Sequence, residues 1–189
     1  MTHSSLPSHV PASATADGDG VVIGAGPVTV DAYIDFLCPF CRQFELSSGD
    51  TLAALVAGGQ ISLAYHPMNF LDAASTTHYS TRAAASAGCA SDGGRFAEYA
   101  HALFVSQPPE GSAGLTDAQL AGLARSADVP EQAFVSCVRS GRYLEWPPYV
   151  TAVATGRGVQ ATPTVLVNGV AVPASARMIA AAVAEAAAG

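Results

Sequence analysis

Two cysteines separated by two residues stand where the sequence changes from strand-like to helix-like character. Residues 28–36 are mostly apolar and rich in β-branched and aromatic side chains, which is typical of a buried strand. From Pro39 onwards apolar residues recur at helical spacing, and proline is tolerated in the first turn of a helix. Cys38 and Cys41 therefore flank the start of a helix that directly follows a strand. Unpaired amide N–H groups at that helix start favour a negative charge on the first cysteine.

This position predicts different roles for the two thiols. A lowered pKa makes Cys38 the nucleophile, and Cys41, one turn later, resolves the mixed disulfide that Cys38 forms. A structural zinc site is one alternative, but such sites usually add a second close-spaced pair, whereas Cys89 and Cys137 stand apart. A purely structural disulfide in the short loop is another, although a bridge at a helix start is strained and reducible. Redox chemistry is the interpretation that we favour, and we expect no metal site.

The order of the predicted elements is strand, helix, strand, helical block, hairpin and helix. The segment from about residue 71 to residue 156 carries helical patterns, including a Thr-x-x-Gln capping box at Thr116. Strand character returns at residues 164–167, and the Asn168-Gly169 pair that follows is typical of a tight hairpin. A strand–helix–strand start joined to a hairpin–helix end is the thioredoxin arrangement. We therefore predict an α/β chain with a thioredoxin fold and an inserted helical domain.

Composition supports the same division of the chain. Residues 1–20 are rich in Ser, Ala, Pro, Gly and His without periodicity, and we expect them to form a flexible leader. The thioredoxin-fold domain is predicted at residues 21–70 and 157–189, and the inserted helical domain at residues 71–156. Half of the 189 residues are hydrophobic, which is enough for a sizeable core.

Charge and hydropathy bear on partners and location. The net charge of −7 argues against nucleic acid, because phosphate binding needs clustered cations. No stretch has the length and apolarity of a membrane span, and the N-terminus lacks the basic start and apolar run of a signal peptide. We therefore expect a cytoplasmic protein from the sequence as written, or an extracytoplasmic one if a leader has been trimmed. No nucleotide motif is evident, so we expect no cofactor.

The segment Asp35-Phe36-Leu37-Cys38-Pro39-Phe40-Cys41, with residues 161–164 (ATPT) and 167–169 (VNG), resembles the DsbA-like thiol–disulfide oxidoreductases of the thioredoxin superfamily. The resemblance runs from about residue 21 to residue 185. It implies disulfide exchange with the thiols and disulfides of protein substrates. The redox equivalents would come from another dithiol protein or a small thiol. Since the chain shows no dimerisation domain, we expect a monomer.

The resemblance also implies roles for individual residues. Pro163 would be the cis-proline that faces the active-site disulfide, and the backbone of Thr162 would pair with a bound substrate strand. Strongly oxidising members carry His in the dipeptide between the cysteines, where this chain has Pro39 and Phe40. Because Phe40 cannot donate a hydrogen bond to the Cys38 thiolate, we expect an intermediate reduction potential.

A second cysteine pair lies in the predicted helical block. In the DsbA-like members that resemble this chain most, a pair placed as Cys89 and Cys137 forms a structural disulfide. Two buried free cysteines are the alternative. A persistent bridge favours an oxidising compartment, which conflicts with the missing signal peptide.

Three further residues have structural interpretations that we favour over functional ones. Trp146, in a proline-rich cluster, could receive unfolded polypeptide, but we expect a core tryptophan in a rigid connector. His66, at the end of the second strand, could approach the active site, but we expect a structural role. Glu45, four residues after Cys41, could relay protons to the buried thiol, but we expect an exposed helix glutamate.

Two other functions remain open. A glutathione-dependent transferase or isomerase can share this architecture, although such enzymes generally use a single Ser or Cys at the helix start. A binding module, either a metal carrier or a polypeptide holdase, could have kept the fold. Neither alternative has a positive feature of its own in the sequence.

Overall fold

The computed structural model of the chain describes residues 6–188. Within this range the chain forms one five-stranded mixed sheet, seven α-helices and a short 3₁₀ turn at Asp72–Ala74. The strands are β1 (Val21–Ile23), β2 (Val28–Ile34), β3 (Ile61–Pro67), β4 (Thr164–Val167) and β5 (Val170–Val172). The helices are α1 (Pro39–Ala57), α2 (Tyr79–Asp92), α3 (Phe96–Val105), α4 (Asp117–Ser126), α5 (Glu131–Ser140), α6 (Trp146–Gly156) and α7 (Ala176–Ala188).

The sheet has the strand order β1-β3-β2-β4-β5. β2 and β3 are parallel, and α1 is the crossover that a parallel pair requires. The other three pairings are antiparallel, and β4 and β5 form a hairpin. Tyr33, near the end of β2, lies opposite Thr164, the first residue of β4. The turn that follows β2 and the segment that precedes β4 therefore meet at the same edge of the sheet.

Buried strand residues explain why the sheet forms the centre of the molecule. Along β2, Val30, Ala32 and Ile34 are almost fully buried. α1 contacts α3, α7 and β3, and α6 contacts α2 and β3. Helices α2–α6 all lie in the chain between β3 and β4. The architecture is the predicted thioredoxin fold with an inserted helical domain.

The N-terminal segment differs from the expected flexible leader. Residues 1–5 of that leader lie outside the described residues, but Pro11, Gly18 and Asp19 are buried. The Trp146 indole N–H donates a hydrogen bond of 2.8 Å to the Gly18 carbonyl, and Arg157 pairs with Asp19. A segment without periodicity can be fixed by side chains from distant parts of the chain, and composition does not reveal such contacts. Trp146 itself is a buried core residue, as we expected.

One short strand was not predicted from the sequence. β1 has only three residues, Val21–Ile23, and pairs antiparallel with β3. Alternation cannot be recognised over so short a run. The strand therefore depends on its partner β3, about 40 residues further along the chain, rather than on its own sequence pattern.

Candidate functional site

Cys38 lies at the N-terminal cap of α1. Its backbone is extended, with φ −73° and ψ 119°, and Pro39 begins the helix, as a first-turn proline can. The side chain is 4% exposed, and its Sγ lies 3.4 Å from the carbonyl oxygen of Thr162. The strand-to-helix turn thus places the first thiol at the start of the helix and beside the segment that leads into β4.

The two thiols have opposite environments. The pKa of Cys38 is lowered to about 6, chiefly because the Cys41 thiol hydrogen-bonds to it, and burial opposes this effect. The Thr162 side chain and the backbone N–H groups of Cys41 and Phe40 lower the pKa further. Cys41 is fully buried, and burial raises its pKa. At neutral pH the reduced pair therefore carries one thiolate, on Cys38.

The Thr162-Pro163 peptide bond, which faces the cysteines, is cis. Beside it lies a groove of about 410 Å³, whose lining includes Phe40, Phe44, Thr162 and Pro163. Phe40 is 69% exposed, so its ring contributes to the surface around the site rather than to the core. The structure therefore brings Cys38, the Thr162-Pro163 step and the aromatic dipeptide residue to one place.

A buried carboxyl group stabilises the turn before Cys38. Asp35 accepts hydrogen bonds from the Ser80 hydroxyl (2.7 Å) and from the N–H groups of Leu37 and Leu71 (both 2.9 Å). Burial raises the pKa of Asp35 to about 6, against the effect of these hydrogen bonds. Its own N–H lies 3.5 Å from the Cys41 Sγ. No role was predicted for Asp35 from the sequence, although a carboxylate at the end of an apolar strand is a signal that could have suggested one.

Gln107, in the loop after α3, also contacts this turn. Its Nε2 donates to the carbonyl oxygens of Phe36 (2.9 Å) and Cys38 (3.0 Å). Gln107 was not predicted from the sequence, and no motif or spacing around it could have indicated the contact.

Glu45 differs from its expected exposure. Its side chain is 7% exposed and lies 3.1 Å from the Nδ1 of His101. Because α3 packs against α1, it covers this face of the helix, and burial raises the pKa of Glu45. The expectation that Glu45 is exposed was wrong, because the sequence of α1 alone does not show that a second helix covers this face.

His66 has the structural environment that we expected. It lies within β3, stacks on Tyr33 with ring centroids 4.3 Å apart, and is 2% exposed. Its Nε2 is 3.0 Å from the carboxylate of Asp31, and its Nδ1 is 2.8 Å from the carbonyl of Asp19. These contacts join the N-terminal segment to the sheet.

The remaining cysteines are joined by a disulfide. Cys89 in α2 and Cys137 in α5 have an S–S distance of 2.06 Å, and their Cα atoms are 5.9 Å apart. The bridge ties two helices of the inserted block. Within residues 6–188, no group of three or more His, Cys, Asp or Glu side chains is arranged to hold a metal ion.

The fold and this site define the class of the protein: a thioredoxin-fold chain with a dithiol pair and a helical insertion. The sequence model of a family described as thioredoxin matches residues 16–184. The reduced form of DsbA from Mycobacterium tuberculosis is 37% identical with a TM-score of 0.71, and the match covers 81% of this chain and 84% of that one. The reduced disulfide bond oxidoreductase DsbG of the same organism is 38% identical with a TM-score of 0.72, covering 82% and 80%. The chain belongs to the DsbA-like thiol–disulfide oxidoreductases of the thioredoxin superfamily.

A longer relative contains a similar stretch. The serine/threonine-protein kinase PknE of Mycobacterium tuberculosis is 38% identical over 135 residues, which are 67% of this chain and 24% of the kinase. The match thus spans about a quarter of the length of that curated relative. Among the helices of residues 6–188, none combines the length and apolarity needed to cross a membrane.

Proposed function

We propose that this chain exchanges disulfides with protein substrates through the Cys38-Pro39-Phe40-Cys41 motif. The observation that carries the proposal is the difference between the two thiols. Cys38 has a pKa of about 6 and lies beside Thr162, whereas Cys41 is fully buried behind it. A thiolate that leaves easily, paired with a shielded resolving thiol, is what disulfide exchange requires.

The exchange would occur in two steps. A substrate thiolate attacks the Cys38 Sγ of the oxidised pair, which breaks the Cys38–Cys41 bond, and the Cys41 sulfur leaves and takes up a proton. A second substrate thiolate then attacks the substrate sulfur of the mixed disulfide and releases Cys38 as a thiolate. The substrate loses two electrons and gains a disulfide, and the pair gains the two electrons. Stabilisation of the Cys38 thiolate favours this direction, because it favours the reduced form of the pair.

The surroundings of Cys38 support a polypeptide as the substrate. We propose that the backbone of Thr162 pairs with the bound substrate strand, next to the groove formed in part by Phe40 and Phe44. Another dithiol protein or a small thiol would reoxidise the pair, and we propose that the chain acts as a monomer.

We further propose that the protein works in an oxidising, extracytoplasmic compartment. The Cys89–Cys137 bridge supports this location, because disulfides seldom persist in a reducing cytosol. The redox state of these two cysteines, determined after their free thiols are trapped in intact cells, tests this location. A bridge found reduced in cells under ordinary growth would contradict the proposed compartment.

Equilibration of the Cys38–Cys41 pair with glutathione buffers tests the activity. We expect a reduction potential between about −270 mV, the value for thioredoxin, and about −120 mV, the value for the strongest oxidants of this kind. Cys38→Ser is the control, since it removes the nucleophile but leaves Cys41 in place. A pair that never equilibrates with glutathione would refute the proposed function. A Cys41→Ala variant that keeps full activity would indicate a single-thiol enzyme instead.

A further inference from the structure

The end of α3 and the active-site turn are joined by two reciprocal contacts. The Gln107 side chain donates from one nitrogen to the carbonyls of Phe36 and Cys38. In the opposite direction, the Nε of Arg42 donates to the carbonyl of Phe104 at 3.1 Å. We propose that Gln107 is a positioning residue, which fixes the Cys38 turn against the inserted helices and thereby sets the redox equilibrium of the dithiol pair. This inference rests on the proposed function.

The two carbonyls that Gln107 contacts lie on either side of Leu37. Phe36 belongs to neither β2 nor α1 and is fully buried. Among residues 6–188, the Phe36 carbonyl accepts its hydrogen bond from the Gln107 amide. The Cys38 carbonyl accepts both the Gln107 amide and the first helical hydrogen bond, from the Arg42 N–H at 3.1 Å. One planar amide therefore fixes the Phe36–Leu37 and Cys38–Pro39 peptide groups, which enclose the turn.

The orientation of these peptides determines where the Cys38 Sγ points. The backbone N–H groups of Phe40 and Cys41 stabilise its thiolate only when the sulfur lies over the start of α1. If residues 36–38 can rotate, the sulfur spends less time in that position, and the reduced form loses stabilisation. The oxidised form depends less on the position, because its sulfur carries no charge. Loss of the Gln107 contact therefore shifts the equilibrium toward the disulfide.

Arg42 closes the link from the other side. Its guanidinium meets a carbonyl in the last turn of α3, where a cation is favourable. Gln107 follows Phe104 by three residues, so the two contacts form a closed ring between the start of α1 and the end of α3. Because the ring has two bridges, the effects of removing them are expected to be coupled.

The test uses two substitutions of Gln107 and one matched control. Gln107→Met keeps the length of the side chain but has no donor, and Gln107→Glu places a carboxylate opposite the two carbonyls. The control is Gln132→Ala, because Gln132 is an exposed glutamine on α5. For each variant we would measure the equilibrium constant with glutathione, the pH midpoint of Cys38 alkylation and the melting temperature.

For Gln107→Met we expect the equilibrium to shift up to about fivefold toward the disulfide form, the limit in which one ordinary hydrogen bond stabilises the reduced form alone. The alkylation midpoint should move to higher pH. Gln107→Glu should shift both quantities further in the same direction, because its charge also opposes the thiolate, and Gln132→Ala should match the wild type. In combination with Arg42→Gln, the Gln107→Met shift should be smaller than in the wild-type background.

The outcomes separate the inference from the proposed function. A wild-type protein that does not equilibrate with glutathione overturns both. In a second outcome, the wild type equilibrates, and the Gln107 variants melt at lower temperature but keep the wild-type equilibrium constant and alkylation midpoint. This outcome leaves the proposed function standing and overturns the inference, since Gln107 would then contribute to stability alone. A shift toward the dithiol form overturns it as well.

Discussion

Alkylation of the reduced protein at acid pH tests the environment of Cys38 directly. The thiolate is the reacting species, so the rate follows the ionised fraction of the thiol. With a pKa of about 6 for Cys38, the rate of reaction with iodoacetamide should have its midpoint near pH 6. Cys41 contributes little at this pH because burial raises its pKa, and the Cys89–Cys137 bridge has no thiol to react.

The expected size of the effect depends strongly on pH. At pH 7 a thiol with a pKa of about 6 is about 90% ionised, against about 3% for an ordinary cysteine with a pKa of about 8.5. The nucleophilicity of the thiolate falls roughly 15-fold over the same difference in pKa, so the net gain at pH 7 is only about twofold. At pH 5 the ionised fractions differ about 300-fold, and the net gain is about 20-fold. Measurements near pH 5, against a model cysteine peptide, are therefore decisive.

A Cys41→Ala variant tests the cause of the shift. The hydrogen bond from the Cys41 thiol is the largest contribution to the lowered pKa of Cys38, so its removal should move the midpoint to higher pH. The backbone N–H at position 41 remains in this variant, and the midpoint should stay below that of the model peptide. A wild-type midpoint above pH 8, or a midpoint that Cys41→Ala leaves unchanged, would refute the reasoning.

Three further predictions concern stability. Replacing Cys89 and Cys137 together by Ala should lower the free energy of unfolding by roughly 4 kcal/mol, because the bridge closes a loop of 48 residues; a loss below about 1 kcal/mol in urea unfolding would contradict this. As the pH falls from about 6 to about 4, the free energy of unfolding of the wild type should rise by up to about 3 kcal/mol relative to that of Asp35→Asn. The reason is that the raised pKa of Asp35 lets the folded state bind a proton at a higher pH than the unfolded state does. Parallel plots of stability against pH for the two proteins would exclude this. Trp146→Phe should cost at least about 1 kcal/mol, because it removes the hydrogen bond to Gly18 and leaves a cavity in the core, and it should speed thermolysin cleavage within residues 6–20; an unchanged cleavage rate would show that this bond does not hold the segment.

Features encoded in neighbouring residues were predictable from the sequence. The hairpin followed from Asn168-Gly169, whose residues both adopt positive φ. The capping box at Thr116 is present, with Thr116 and Gln119 bonded reciprocally at the start of α4. The strand-to-helix junction at Cys38 could be located in the same way, because a change of hydrophobic period is visible within a few residues.

Features created by contacts between distant residues were not predictable. The burial of Glu45 depends on how α3 lies across α1, and the order in residues 11–20 depends on Trp146 and Arg157. Gln107 has no neighbouring pattern that distinguishes it from other polar loop residues. In each case the signal lies in a partner tens of residues away, and a single sequence does not show which partner is chosen.

The point at which the helices enter the fold explains why they contribute to the site at all. β3 is parallel to β2, and its last residue, Pro67, pairs with Ile34 at the end of β2. β4 is antiparallel to β2, and its first residue, Thr164, pairs with Tyr33 at that same end. The chain therefore leaves the sheet and returns to it on the two sides of the strand end that leads to Cys38. Helices inserted between β3 and β4 are anchored at both ends beside the active-site turn, so a side chain such as Gln107 can reach the carbonyls of that turn although it is 69 residues from Cys38 in sequence.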